Sequence, residues 1–386
     1  MNCHLRRLLV LTALLAGCQS SLTVAGSDGG GRRGDGALAD GGTEDPIDGG
    51  ESDLDADTVT PLDDGGFPIE TDAGDEDEVL PPMVIDEPPD PPEELPPDPP
   101  DMPDVEPDTG ARAVQATYRV LHWNIAGGKV NDCRTAGITA AVRRIVNEHD
   151  IDFVGLNEVC PEQFEAIREA LRDHWGKGPG ANFAAYVGDG SPRIVGNAIF
   201  SRFNIEDVVR IRVGEDRYGD RNLLCGRVPA RTHLRFCSTH LTPGDAAARS
   251  QLRTVHSRAE QWFLERNDTV ILTGDFNLMP NDPAFDAVYA EQANHPRNNP
   301  GNRGRYHELD DNDADHCMGY GERSHPGTGG PCGEGGKIDF IFVRRSRIVD
   351  GRDYNADSLT IPTTCGGSCS DHRPIRGRVR VLVRED

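Results

Sequence analysis

The residues of this chain best suited to chemistry stand at the ends of apolar runs. Asn124 closes Thr117–Asn124, Glu158 lies just past Asp152–Leu156, and His240 closes a third run, Thr232–His240. Asp275 and Asn277 follow Val270-Ile271-Leu272-Thr273-Gly274, Asp339 sits beside Phe340-Ile341-Phe342-Val343, and Asp371-His372 precedes the last apolar run. Carboxylates, amides and imidazoles at the ends of neighbouring strands can meet in one pocket without breaking the core. Such a set supplies what hydrolysis of a phosphodiester needs. A hard divalent cation takes oxygen ligands, water needs a base, and the leaving oxygen needs a proton or a metal. Met singly, each residue has a plainer reading: Asn124 as a strand-end cap, Glu158 as a solvated loop acid, His240 as a structural histidine, Asp275 and Asn277 as turn formers. Only the set as a whole argues for a site.

The elements that must carry these residues alternate. Short apolar runs and alternating segments predict strands over 117–124, 152–156, 197–201, 208–213, 223–228, 232–240, 269–273, 338–343 and 379–383, with 223–228 and 232–240 forming a hairpin. Helical spacing appears over 139–148, 162–173 and 246–265, the last through Leu252, Val255, Ala259, Trp262 and Phe263. Many strands with few helices in one unit of about 270 residues predict packed β-sheets with helices on their outer faces.

Six ordered motifs carry a family resemblance: Trp123-Asn124, Asn157-Glu158, Ser238-Thr239-His240-Leu241, Gly274-Asp275-Phe276-Asn277, Lys337-Ile338-Asp339-Phe340-Ile341 and Ser370-Asp371-His372-Arg373-Pro374. In this order they resemble the endonuclease/exonuclease/phosphatase superfamily, over about 113–386. The resemblance implies a deoxyribonuclease I-like, four-layered α/β sandwich, two packed mostly antiparallel sheets flanked by helices, with its site at one edge. It implies a metal set of Glu158, Asn124 and Asp371 holding Mg²⁺ (or Mn²⁺). His372 would act on the nucleophilic water, oriented by Asp339. His240 would donate to the phosphoryl oxygens, and Asp275 and Asn277 would position the nucleophile. Arg202, in Ser201-Arg202-Phe203, would contact substrate phosphate.

The branch within the superfamily is narrower ground. Ala126 stands where exonuclease III-like repair enzymes carry an acid, and Leu278-Met279-Pro280 lacks the basic run of inositol phosphatases. Val159-Cys160 replace the arginine that follows the metal glutamate of deoxyribonuclease I. The expectation is an extracellular, surface-tethered nuclease acting as a monomer on nucleic acid. The alternatives are a sphingomyelinase or other phospholipid phosphodiesterase, another small phosphoester hydrolase, and, in a different class, an inactive surface binding module.

The net charge of −25 over 386 residues is an uneven average. Residues 1–112 hold 28 Asp and Glu against 5 Arg, whereas 113–386 hold 37 against 35 Lys and Arg. The near-neutral remainder neither demands nor excludes an anionic substrate. Arg6 and Arg7, the apolar run Leu8–Leu15 and then Leu15-Ala16-Gly17-Cys18 resemble a bacterial lipoprotein signal, which implies lipidation of Cys18 and export to the outer membrane or cell surface. Residues 19–112, acidic and rich in Pro and Gly with Phe67 as their one aromatic residue, read as a disordered stalk.

Eight further cysteines in an exported domain read as up to four disulfides. Short spacings favour Cys365–Cys369 and Cys317–Cys332, and Cys225–Cys237 suits a hairpin. Asp311, Asp313, Asp315 and Glu322 have the spacing of a Ca²⁺ loop, although His316 stands where that loop needs glycine, so a polar loop is the default. His307, His316 and His325 read by default as loop histidines, and they flank the expected site where a substrate contact is the alternative.

Overall fold

Burial on both faces explains why so many strand segments here read as continuous apolar runs. A computed structural model describes residues 112–190, 194–231, 233–312, 317–325 and 336–385, all within the unit Leu80–Asp386. The elements are β1 (Arg112–Asn124), α1 (Ala136–His149), β2 (Phe153–Val159), α2 (Pro161–His174), β3 (Ala184–Gly188), β4 (Gly196–Ser201), β5 (Glu206–Asp216) and β6 (Gly219–Arg227). They continue as β7 (Leu234–His240), α3 (Asp245–Arg266), β8 (Thr269–Asp275), β9 (Tyr306–Glu308), β10 (Asp339–Arg344), β11 (Tyr354–Ser358) and β12 (Ile375–Glu385). The signal segment with Cys18, the stalk, Asp313, Asp315, His316 and Cys332 lie outside the described residues.

Two six-stranded sheets result, ordered β11-β12-β1-β2-β4-β3 and β5-β6-β7-β8-β10-β9. Each contains one parallel pair, β1 with β2 and β7 with β8. A parallel pair needs a crossover, supplied by α1 in the first sheet and α3 in the second. The remaining pairings are antiparallel.

Alternation sorts the side chains into layers. In β10, Ile341 and Val343 face the core between the sheets, while Phe340 and Phe342 face the core under α3. In β1, Tyr118 and Val120 join the inter-sheet core, and Leu121 and Trp123 pack under α1 and α2. Helix α1 buries Ile138, Ala141, Val142, Ile145 and Val146, a single stripe at helical spacing. It stops at Asp150, whose left-handed backbone returns its N–H to the Val146 carbonyl. The order is helix, sheet, sheet, helix, the four-layered α/β sandwich expected. Each fully buried Leu, Ile or Phe in these cores contributes about 1.5–3 kcal/mol.

All the expected strands and helices form, most with longer ends. Three strands escaped the sequence reading: β3, β9 and β11. All three lie at sheet edges, where a short or polar strand such as Tyr354-Asn355-Ala356-Asp357-Ser358 suffices and shields the edge.

The disulfides Cys225–Cys237 and Cys365–Cys369 form as expected. Cys225 and Cys237 are register partners across β6 and β7. Cys317 is disulfide-bonded. Cys133–Cys160 also forms, tying the loop after β1 to the residue after β2. Its separation of 27 residues corresponds to about 3–4 kcal/mol of loop-closure stabilisation in the chain-entropy account.

Candidate active site

Strand register alone assembles half of the site. His240 ends β7 opposite Asp275 at the end of β8, and Asp275 is the register partner of Asp339 at the start of β10. Neighbouring strands lie about 4.8 Å apart, so three polar side chains stand in one row at the sheet rim. Gly274 precedes Asp275 because a Cβ there would lie 2.5 Å from the Thr239 carbonyl oxygen. In the other sheet, Asn124 at the end of β1 is paired with Asn157.

The two rims are stitched by amides. Asn157 accepts the Asp275 N–H at 2.9 Å and donates to Asn197 and Ser238 at 2.8 and 3.2 Å. Asn124 Nδ2 donates to Glu158 Oε1 and to Asp275 Oδ2, each at 3.0 Å. Glu158 lies where the β2–β4 register shifts, with a positive φ of 54°. This β-bulge turns its side chain toward Asn124 instead of continuing the strand's alternation.

The last two members arrive from the segment before β12. His372 Nδ1 donates to Asp339 Oδ2 at 2.8 Å, and its Nε2 lies 3.8 Å from Asp275 Oδ2. Trp123 Nε1 donates to the His372 carbonyl at 2.9 Å. Ser370 Oγ donates to the Asn124 carbonyl at 2.7 Å and accepts the His372 N–H at 3.0 Å, which accounts for the serine before Asp371-His372. The Cys365–Cys369 bridge closes immediately upstream. Asp371 Oδ2 takes the Lys129 ammonium at 2.7 Å.

Burial and neighbouring charge drive the titrating groups apart. Burial raises Asp275, the nearby Asp339 carboxylate raises it further, and its pKa reaches about 7. Burial would lower His372, but the charge and hydrogen bond of Asp339 outweigh it, and its pKa rises to about 10. Asp339 is fully buried, yet the His372 charge and donated hydrogen bonds from His122 and His372 hold it well below the usual carboxylate range. His122 Nε2 donates to Asp339 Oδ1 at 2.9 Å. His240 is held well below its ordinary value, first by burial and then by the Arg221 guanidinium, whose Nη1 lies 3.1 Å from His240 Nδ1. Its Nε2 lies 3.6 Å from Asp275 Oδ2. Asp275 therefore stands between two imidazoles of opposite character.

The structure brings Asn124, Glu158, His240, Asp275, Asn277, Asp339, Asp371 and His372 into one connected rim. Two expectations need correction in detail. Asn124 presents Nδ2, not oxygen, to the acids, because its Oδ1 accepts the Ala126 N–H at 3.0 Å. In this arrangement it orients the Glu158 and Asp275 carboxylates. Asn277 joins through its backbone, donating N–H to Asp275 Oδ1 at 3.0 Å, while its Nδ2 donates to the Leu241 carbonyl.

Arg202 is not at the site. It pairs with Asp150 and Asp152 beside Ser201, the register partner of Phe153 at the start of β2. Five strand steps, about 16 Å, separate that end from Glu158. The Ser-Arg-Phe motif here braces the far ends of the strands. In the proposed Ca²⁺ loop, Asp311 accepts from Tyr354 Oη at 2.7 Å and Glu322 accepts the Ser358 N–H at 2.5 Å, so both described acids hold β11 and its neighbourhood.

Among residues that sequence reasoning missed, His122 lies two positions before Asn124 and so shares its face of β1, a signal that period-2 counting would have found. Lys129 and Arg221 give no such signal, since each is placed by a loop or hairpin. His325, which the sequence already placed beside the site, has its ring centroid 4.6 Å from that of His372.

Asp275, Asp339 and His372 offer ligand atoms within 4.8 Å of one another. Asp339 is hydrogen-bonded to His372 Nδ1 and to His122, while the Asp275 oxygens accept from Asn124 Nδ2 and the Asn277 N–H. Glu158 and Asp371 are the other acids of the rim, and both offer the hard oxygen atoms a divalent cation takes. Lys129 sits on Asp371 and within electrostatic range of Glu158, so positive charge is already drawn to that spot.

Residues 121–372 match the Endonuclease/Exonuclease/phosphatase family. No curated protein matches the chain by sequence. Similar solved structures include an endonuclease/exonuclease/phosphatase family protein from Bacteroides thetaiotaomicron, 18% identical over 69% of this chain and 99% of that one, with a TM-score of 0.48. Truncated Caenorhabditis elegans TDP2 is 15% identical over 68% and 97%, with a TM-score of 0.47. A mannosyl-6-phosphatase of Bacteroides thetaiotaomicron is 18% identical over 69% and 99%, with a TM-score of 0.46.

Proposed function

The chain belongs to the endonuclease/exonuclease/phosphatase family, and on that footing we propose that it is a Mg²⁺-dependent phosphodiester hydrolase acting on nucleic acid. The observation that carries the chemistry is Asp275, poised near neutrality between two differently held histidines. A carboxylate with a pKa of about 7 is matched to take a proton from water at neutral pH. This moves the base from His372 to Asp275, because His372, paired with Asp339, already carries its proton. His372 then directs a cationic N–H, and His240 a neutral one, at the phosphoryl oxygens. Glu158 and Asp371 would hold the metal, with Asn124 orienting Glu158. When bound, the ion would supply positive charge for the phosphate and the leaving oxygen.

Two features favour a polymeric substrate. The cavity beside Glu158, Arg221 and His240 measures only about 10 Å³, room for a single water, so a substrate lies across the rim instead of being enclosed. Tyr218, half exposed on the β5–β6 hairpin tip, carries the Arg217 guanidinium 4.7 Å over its ring and lies in electrostatic range of Lys129. Aromatic rings and arginines together suit stacked bases and their phosphates.

The test incubates the purified protein and Mg²⁺ with plasmid DNA, with sphingomyelin vesicles, or with a sugar phosphomonoester. Plasmid nicking that stops in EDTA is the expected result. Choline-phosphate or inorganic phosphate release without nicking would overturn the nuclease reading, and DNA binding without turnover would favour an inactive module.

A tether through Cys18 at the outer membrane or cell surface completes the proposal and rests on the signal-like N-terminus. Cys18→Ser is expected to shift the protein from the membrane to the soluble fraction. Retention in the membrane would refute the anchor.

A further inference from the structure

His240 and His372 look equivalent in the sequence, each beside a strand end, yet the groups that hold them are opposite in kind. His372 Nδ1 faces a carboxylate, Asp339, and donates to it. His240 Nδ1 faces a guanidinium, Arg221 Nη1, at 3.1 Å. A guanidinium has donors and no acceptor, so His240 Nδ1 must be the bare, accepting nitrogen. The ring proton is thereby confined to Nε2, the nitrogen facing Asp275 Oδ2 at 3.6 Å.

We infer that Asp216 and Arg221 form a relay that locks His240 as the neutral Nε2–H tautomer, making it a hydrogen-bond donor of fixed direction and never a proton carrier. Arg221 is the positioning residue. Its consequence for turnover rests on the phosphodiesterase reading, whereas the tautomer does not.

The relay is built, not incidental. Arg221 is 6% exposed, and its Nε donates to Asp216 Oδ2 at 2.9 Å. Asp216 is itself anchored at the hairpin tip, where Oδ1 accepts the Tyr218 N–H at 2.7 Å. Arg221 thus cannot swing away from His240 without breaking a partly buried ion pair. The other charged or titratable groups around His240 are Asp275 from β8, His372 before β12, Asp339 from β10 and His122 from β1, with Glu158 and Asp189 lining the same cavity. Burial, Arg221, His372 and His122 all disfavour a second proton on His240, and Asp339 alone among the leading influences favours one. Two donors of unequal charge then flank Asp275: one cationic through its carboxylate partner, one neutral through its arginine partner. A second imidazolium beside Asp275 would favour its ionised form and weaken it as the proton acceptor, and the relay prevents that.

The tautomer is read directly by nitrogen NMR of the full chain labelled at histidine, with His240→Gln identifying the resonances. The expected wild-type pattern is an unprotonated Nδ1 and a protonated Nε2, unchanged between about pH 5 and 8. In Arg221→Met, His240 gains a titration in that range, and kcat falls about tenfold to a hundredfold with KM little changed. Arg221→Lys, which keeps one charged donor, recovers the tautomer and most of kcat. A proton on Nδ1, or a doubly protonated ring at neutral pH in the wild type, overturns the relay. So does an Arg221→Met protein whose His240 tautomer and pH–rate profile do not move. The two readings fail separately: a wild-type chain inert on every phosphodiester refutes the hydrolase, whereas Nδ1–H refutes the relay whatever the turnover.

Discussion

Substituting Glu158→Gln should leave a folded protein whose kcat on its phosphodiester substrate is lower by about a thousandfold or more. Glu158 is only partly buried, and glutamine keeps an oxygen for the Asn124 amide that donates to Oε1 at 3.0 Å. The bulged backbone and the amide stitching therefore survive. What disappears is one of the two charged oxygen groups proposed to hold the metal, the other being Asp371 with its Lys129 counter-ion. Magnesium titration by calorimetry separates cause from effect: affinity for the ion should fall along with turnover. Retention of more than about a tenth of wild-type kcat at saturating Mg²⁺ would place the metal elsewhere.

Asp339→Asn carries the second large effect. Asp339 accepts from His122 and His372 and is fully buried. Asparagine preserves shape but removes the charge that keeps His372 cationic and can present the wrong group to Nδ1. The comparable substitution in the serine-protease triad lowers kcat by about 10⁴, and a loss of about 10³–10⁴ is expected here at pH 7.

The pH dependence of stability has a definite sign. His372 has a folded pKa of about 10 against an ordinary 6.5. Its contribution is therefore complete below pH 6.5 and is lost as the pH rises through about 10. Asp339, lowered in the fold, contributes above its ordinary 3.8 and loses that contribution as acid titrates it. Thermal melts of the wild type should decline across the alkaline window, and the Asp339→Asn variant should lack that decline. Parallel melting curves for the two proteins over that range would show that the pair does not hold His372 protonated.

Much of this was legible in the linear chain because strand ends are legible. Apolar runs over 269–273 and 338–343 end or begin at acids, and a run buried on both faces tolerates a carboxylate only at its rim. That constraint located Asp275 and Asp339 before any coordinates, as it did Asn124 and His240. The edge strands β3, β9 and β11 were illegible for the converse reason: at three to five residues each, and with polar residues in β9 and β11, they leave no apolar run to read.

Residue types and their order along the chain, through a family resemblance, pointed to the layered sandwich, favoured Cys225–Cys237 and Cys365–Cys369, and named most of the groups that meet. Pairing across the fold decided what each group does. Arg202 fits its motif but braces the far end of β2, because position along a strand is a matter of register. Asn124 turned out to orient carboxylates, because the Ala126 N–H claims its oxygen. His240 and His372 are the same residue with opposite protonation, because one meets Arg221 and the other Asp339. Protonation follows the sign of the nearest buried charge, and that charge comes from a strand remote in sequence, so only the tertiary structure can assign it.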